Sequence, residues 1–194
     1  MEAPGFSLAF SEPGKMRFIQ TKIEGAWVIE PTPHEDDRGH FFRAWCSKEF
    51  LDHRIQFQPV QANMGFNIRK GTVRGMHFQV EPALEAKLVR CTRGAMFDVV
   101  LDVRTDSATY GKWHAVELTP ENGRMLFLPE RCAHGYQTLE DHTEMHYMTS
   151  QLYAPNDARG ARFDDPAFDI RWPLPVSVIS EQDLNWPLST GRQA

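Results

Sequence analysis

The chain reads as a series of short apolar runs cut by Gly, Pro, Asn and Asp. Trp27-Val28-Ile29-Glu30-Pro31 has strand character, and residues 57–63 make a second strand candidate. Residues 41–45 follow a turn signal at Asp37-Arg38-Gly39. Residues 87–92 and 95–104 flank Arg93-Gly94, which predicts a hairpin. Residues 112–118, 125–128 and 143–150 continue the series. Ser47-Lys48-Glu49-Phe50-Leu51 reads as a short helix with Ser47 as N-cap. Within residues 97–103 the odd positions are all apolar, while Asp98, Val100 and Asp102 share the other face. That second face suits a barrel interior carrying placed polar groups. Many short strands with little helix predict an all-β sandwich or barrel. The expectation is one domain over residues 1–194. Residues 1–20 are expected to be loosely ordered, and the Pro- and Trp-rich segment from 163 to 194 to pack back over the barrel.

The bulk numbers narrow the class. The chain has 194 residues, 41% hydrophobic and 24% charged, enough for one cored globular domain. A net charge of −5 argues against a nucleic-acid partner, which a basic face would favour. It leaves room for a diphosphate held by a few local arginines. No apolar run approaches the roughly 20 residues of a membrane span. No secretory signal is evident. Cys46, Cys91 and Cys132 cannot all pair within one chain, so reduced thiols in a cytoplasmic protein are expected.

The chemistry concentrates in Gly71-Thr72-Val73-Arg74-Gly75-Met76-His77-Phe78-Gln79 and in Lys87-Leu88-Val89-Arg90-Cys91. An imidazole, a guanidinium and an ammonium thus lie on neighbouring strand-like segments. His134 and Tyr147 follow in later runs. A neutral base among cationic donors suits removal of a proton from carbon beside a carbonyl and stabilisation of the oxyanion formed. Each residue also has a plainer reading. His77 and His134 satisfy backbone or packing partners in many strands. Tyr147 suits a wall aromatic, Arg38 a turn and Tyr153 loop packing. Ser180-Glu181-Gln182-Asp183 fits a helix-start pattern in which Asp183 only joins a cap.

The set resembles the dTDP-4-dehydrorhamnose 3,5-epimerase family from about residue 23 to residue 187. The resemblance rests on Asp37-Arg38-Gly39, Gln61-Ala62-Asn63, Arg74-Gly75-Met76-His77-Phe78-Gln79, Lys87-Leu88-Val89-Arg90, Phe97-Asp98-Val99, Pro129-Glu130-Arg131-Cys132-Ala133-His134-Gly135, Tyr147, Tyr153-Ala154-Pro155, Ile170-Arg171-Trp172-Pro173 and Ser180-Glu181-Gln182-Asp183. It implies a cupin-type jelly-roll barrel with short peripheral helices. It implies 3,5-epimerisation of a nucleotide-linked 4-keto-6-deoxyhexose, dTDP-4-dehydro-6-deoxy-D-glucose going to dTDP-4-dehydro-L-rhamnose, without metal or cofactor. His77 matches the family's base, Asp183 the carboxylate that orients it, Lys87 the enolate donor and Tyr147 the acid. Arg74 and His134 match further active-site positions, and Arg38, Gln61, Asn63 and Tyr153 match nucleotide or sugar contacts. The family implies a homodimer whose N-terminal strand crosses to the partner, giving residues 35–38 a role in trans. Two positions depart from the pattern. Arg43 stands where well-known members carry Glu near the nucleotide base, and His146 where an apolar residue is common beside the acid.

Other readings make different demands. A single-centre epimerase would share the base, the donor and most of the pocket. A metal-dependent cupin would draw its ligands from His77, Glu81 or Glu85, and His134. Gln79 stands where the second histidine of an H-x-H pair would fall, and glutamine is a poor ligand beside imidazole. A non-catalytic sugar-nucleotide binder gives His77, Lys87 and Tyr147 no reason to coexist.

Overall fold

A computed structural model describes residues 14–189. The first described strands are β1 (Arg17–Gln20), β2 (Trp27–Glu30), β3 (His34–Asp36) and β4 (Gly39–Phe41), followed by α1 (Ser47–Asp52). Next come β5 (Gln61–Asn67), β6 (Val73–Gln79), β7 (Lys87–Arg93), β8 (Met96–Asp102) and β9 (Trp113–Leu118). The series closes with β10 (Met125–Leu128), β11 (Cys132–Thr138), β12 (Thr143–Thr149), β13 (Ala158–Gly160) and α2 (Glu181–Leu184). Two antiparallel sheets carry the fold, in the orders β1-β2-β10-β7-β12-β5 and β13-β6-β11-β8-β9. They form a jelly roll of the cupin type. Val89, Leu126 and Met145 of one sheet meet Val100, Leu118 and Tyr136 of the other in a shared core. Burial of those apolar faces is the main force holding the layers together.

The alternation over residues 97–103 sorts as the pattern requires. Val100 joins the inter-sheet core, while Val99 and Leu101 face outward. There they pack with Met76, Ala133, Phe168 and Ile170, so part of the C-terminal segment lies against the five-stranded sheet. Residues 190–194 of that segment lie outside the described residues. So do residues 1–13 of the segment expected to be loose, while residues 17–20 form β1.

Four local expectations are corrected. Arg93-Gly94 does not close a hairpin, because β7 pairs with β10 and β12 while β8 pairs with β11 and β9. Turn residues report a reversal of direction but not which strand receives the hydrogen bonds. Ser47 lies inside α1, whose N-cap is Cys46 with no side-chain cap. The strand expected over 57–63 starts at Gln61, because Phe57 is drawn into a second core against Phe50 and Phe127. The turn at Asp37-Arg38-Gly39 closes the β3–β4 hairpin, and residues 42–45 are not strand. Every residue of β3 and β4 is exposed.

Candidate active site

β5, β6, β7, β11 and β12 bring one face each to a common cleft. In β5, Gln61, Asn63 and Gly65 line the cleft while Ala62 and Phe66 are exposed, as strand alternation demands, and the largely exposed Met64 also borders the smaller cavity. Two adjoining cavities, of about 410 and 240 Å³, share His77, Lys87 and Tyr147 as a common wall. His77 and His134 sit opposite one another in the β6–β11 pairing. A register shift between His134 and Tyr136 falls at Gly135, where the two backbones nearly touch. A Cβ on Gly75 would lie 2.4 Å from the Gly135 Cα, so only glycine permits this approach.

His77 Nε2 lies 2.6 Å from Asp183 Oδ1. The His77 side chain remains 44% exposed, whereas that of Asp183 is 5% exposed. Burial pushes the Asp183 carboxyl up, but the hydrogen bond and charge of His77 and the Gly75 N–H outweigh it and leave it below its ordinary value. An ionised Asp183 accepting from Nε2–H leaves Nδ1 as the lone-pair nitrogen. A helix does start at Ser180, but Asp183 joins its cap through the backbone N–H and not through the carboxylate. That N–H donates to Ser180 Oγ at 3.1 Å, so one short helix caps itself and aims the carboxylate. Trp186 Nε1 donates a further bond to Asp183 Oδ1 at 3.3 Å, and its ring meets His77 edge-on. Gly160 makes room for that indole, since a Cβ there would fall 2.2 Å from the Trp186 ring.

Lys87 is 8% exposed and its Nζ lies 2.9 Å from Glu85 Oε1. Tyr147 is half-buried and lines both cavities. Burial, and then the Glu85 charge, raise its phenol above the ordinary value, with Arg74 opposing. The phenol is therefore a proton donor at neutral pH. In the smaller cavity His134 Nε2 meets Asp98 Oδ1 at 2.7 Å. Asp98 is fully buried, and burial raises its carboxyl despite the opposing charges of His134 and Lys87. Arg74 Nε and the Tyr136 hydroxyl both donate to Asn67 Oδ1, at 2.9 and 3.2 Å.

Gln61, Asn63, Tyr153 and Arg159 also line the larger cavity. Gln61 Nε2 donates to Asn63 Oδ1 at 3.0 Å, while the buried Asn63 Nδ2 has no protein partner. Arg38 is not brought to this cleft. It stands on the exposed β3–β4 hairpin and pairs with Asp36. Arg43 pairs with Glu49 instead of lining the cleft. His146 lines neither cavity. It lies beside Arg90 on the opposite face of β12, where burial and then that guanidinium lower its pKa. Among the described residues, no group of three or more His, Cys, Asp or Glu is placed to hold a metal ion.

Asp98, Trp186, Asn67, Arg159 and Glu85 (as an ion-pair partner of Lys87) were not recognised from the sequence. Asp98 carried a signal, as a charged residue on an apolar strand's inner face, and Glu85 a weaker one, as a charge two residues before Lys87.

The jelly roll and its cleft of oriented histidine, lysine and tyrosine define a cupin-type epimerase acting on carbohydrate. The chain belongs to the dTDP-4-dehydrorhamnose 3,5-epimerase family, whose profile matches residues 20–190. The dTDP-4-dehydrorhamnose 3,5-epimerase of Sinorhizobium fredii is 42% identical over 178 residues, covering 91% of each chain. The crystal structure of the Bacillus anthracis dTDP-4-dehydrorhamnose 3,5-epimerase with TDP and PPi bound superposes with a TM-score of 0.87 at 33% identity. The match covers 90% of this chain and 100% of that one. The Legionella pneumophila enzyme in complex with dTDP-4-keto-L-rhamnose gives a TM-score of 0.84 at 33% identity, covering 90% and 93%.

Proposed function

We propose that this enzyme inverts C3 and C5 of dTDP-4-dehydro-6-deoxy-D-glucose to give dTDP-4-dehydro-L-rhamnose. The observation that carries the reading is the His77–Asp183 contact of 2.6 Å on the wall of a cleft into which Lys87 and Tyr147 also open. The C4 ketone acidifies the hydrogens on both neighbouring carbons. His77 Nδ1 takes one of them, and the pair of electrons left on carbon moves onto the ketone oxygen. Lys87 donates to that enolate oxygen. Tyr147 returns a proton to carbon from the other face, and the centre inverts. His77 then gives its proton to solvent and the Tyr147 phenolate takes one back, and the same steps at the second carbon complete the reaction. A base supplies only about 10²–10⁴-fold, and an oxyanion donor in a water-poor site adds roughly 3–4 kcal/mol. The orphan Asn63 amide, with Gln61 and Tyr153 beside it, gives the nucleotide end of the substrate an acceptor-seeking wall. Arg74 and His134 would complete the sugar pocket.

The test is incubation in D₂O with a panel of 4-keto-6-deoxy sugar nucleotides, read by NMR. The expected result is inversion at both carbons with one solvent deuteron at each. Inversion at one carbon alone would make the protein a single-centre epimerase, and exchange at neither would end the reading.

The same reading makes the whole chain one catalytic domain and takes the active form to be a homodimer. Met64 and Phe66 of edge strand β5, with Ile68 just past its end, are exposed apolar residues. The β3–β4 hairpin stands clear of its own cleft and carries Arg38 and a Phe41 that is 77% exposed. Exchange of this arm would deliver Arg38 to the partner's nucleotide site. Sedimentation should give twice the chain mass, and a monomer with full activity would remove the exchanged arm. A cytoplasmic location fits the three unpaired cysteines, of which Cys91 and Cys132 have their thiols raised by burial to about 11 and about 12.

A further inference from the structure

The reactive wall contains one carboxylate that the reaction outlined above does not use. Glu85 lies just before β7 and lines the larger cavity with Lys87 and Tyr147. Its Oε1 is 2.9 Å from Lys87 Nζ, and the two side chains are each 10% exposed. An exposed ion pair is worth little, but here both charges are largely out of water, and each is the other's main compensation. An ammonium has three donors. One goes to Glu85, and a second lies 3.5 Å from the His77 carbonyl oxygen. The third is left for the cavity.

We propose that Glu85 is a positioning residue of the epimerisation. It fixes the Lys87 ammonium so that one N–H meets the substrate's C4 oxygen, and it sets a negative charge beside the phenol that must stay protonated. The proposal rests on the epimerase reading and on the placing of Lys87 and Tyr147 as donor and acid. Without Glu85 the four-carbon lysine stem is free to rotate, and the donor no longer waits at the place where charge develops. Preorganised donors stabilise a transition state because they need not reorient as it forms.

The charge on Glu85 gives the proposal a readout that a packing role lacks. Tyr147 is set among several charged or titratable groups. Arg74 and His77 reach the cleft from β6, Lys87 from β7, Asp98 from β8, and His134 and Tyr136 from β11. Asp183 stands behind His77 on α2, and Tyr153 and Arg159 line the larger cavity. After burial, the charge of Glu85 is the main influence raising the phenol, and Arg74 pulls the other way. Removing that negative charge makes the phenolate easier to form, so Tyr147 loses its proton at lower pH. Turnover needs the phenol form, so the alkaline limb of kcat moves toward acid.

The test is Glu85→Gln, which keeps size and an acceptor oxygen but removes the charge, followed from pH 6 to 11.5 with dTDP-4-dehydro-6-deoxy-D-glucose, because the raised wild-type phenol puts its limb above pH 10. The expected result is an alkaline limb lower by roughly one pH unit, with kcat near neutrality down about tenfold and KM changed less. Glu85→Asp restores the charge one methylene back. Its limb is expected to return to the wild-type pH while kcat stays reduced. A limb that stays in place in Glu85→Gln overturns the proposal, whatever happens to thermal stability. Should that variant not fold, a Glu85→Asp variant with wild-type kcat overturns it, because the position of the carboxylate would then not matter. Wild-type protein that inverts neither carbon removes the epimerase reading and the role of Glu85 with it. Wild-type activity with an unmoved limb removes Glu85 alone.

Discussion

Replacing His77 with asparagine is expected to abolish solvent exchange at both C3 and C5, with kcat/KM falling at least roughly 10³-fold, about 4 kcal/mol of transition-state stabilisation. Asparagine is polar but ends short of the Nε2 position, so it gives up the bond to Asp183, while that carboxylate keeps Trp186 and the Gly75 N–H and the fold should survive. What it lacks is a basic lone pair. In the wild-type cleft Asp183 takes up Nε2, and the opposite nitrogen is the free base. Trp186 and the Gly75 N–H complete the carboxylate's partners, so the imidazole is held by a group itself held on several sides. The check is NMR in D₂O over hours, with the substrate's C3 and C5 proton signals followed separately. Signals that decay at either carbon at the wild-type rate would mean that another group removes that proton. The scheme would then need two bases. His134 is the nearest rival on the adjoining strand, but its Nε2 already faces Asp98 inside the smaller cavity.

Much of this site was readable before any coordinates, and the residues explain which part. His77, Lys87, His134 and Tyr147 were gathered by the resemblance and by their strand-like runs, whereas periodicity alone fails for Arg74: it lies three residues from His77, and strict alternation would put the two on opposite faces. The irregularity where β6 meets β11 at Gly135 accompanies their meeting in one cavity. The inward face of residues 97–103, where alternation is regular, was legible from periodicity. Strand partnership was not. Arg93-Gly94 signals a reversal, but nothing local says that β7 and β8 will part into different sheets, because that choice is made by the core between them. Trp186 and Asp183 reach the cleft only because the C-terminal segment crosses the five-stranded sheet over Phe168 and Ile170, a contact between residues far apart in sequence. Glu85 was visible as a charge near Lys87, but its role depends on both side chains being withdrawn from water. Arg38 and Arg43 mark the opposite case. The resemblance matched Arg38 to a nucleotide or sugar contact made in trans and marked Arg43 as a departure near the nucleotide base, and within this chain each is paired with an acidic neighbour away from the cleft.

Changing Tyr147 to phenylalanine is expected to separate the two halves of the reaction. The ring packs against the core and would remain, so stability should change little. Only the hydroxyl goes, and with it the proton delivered from the second face. His77 can still remove hydrogen and Lys87 can still hold the enolate. The His77 side chain is 44% exposed, so a captured proton can be traded for a solvent deuteron and returned from the face it left. The substrate should therefore gain deuterium with its configuration retained, while inversion falls by about 10²–10³-fold, the range for loss of a general acid. The wild-type phenol is protonated at neutral pH because burial, reinforced by Glu85, holds its pKa above the ordinary value. The defect should thus be constant from pH 6 to 8. Deuterium content and configuration can be read in one spectrum, since inversion changes the ring couplings and labelling removes a proton signal. Exchange and inversion lost in equal measure would mean that Tyr147 acts on proton removal instead. Full inversion by the variant would place the acid elsewhere, and Tyr136, with its buried hydroxyl on Asn67, would be the next phenol to test.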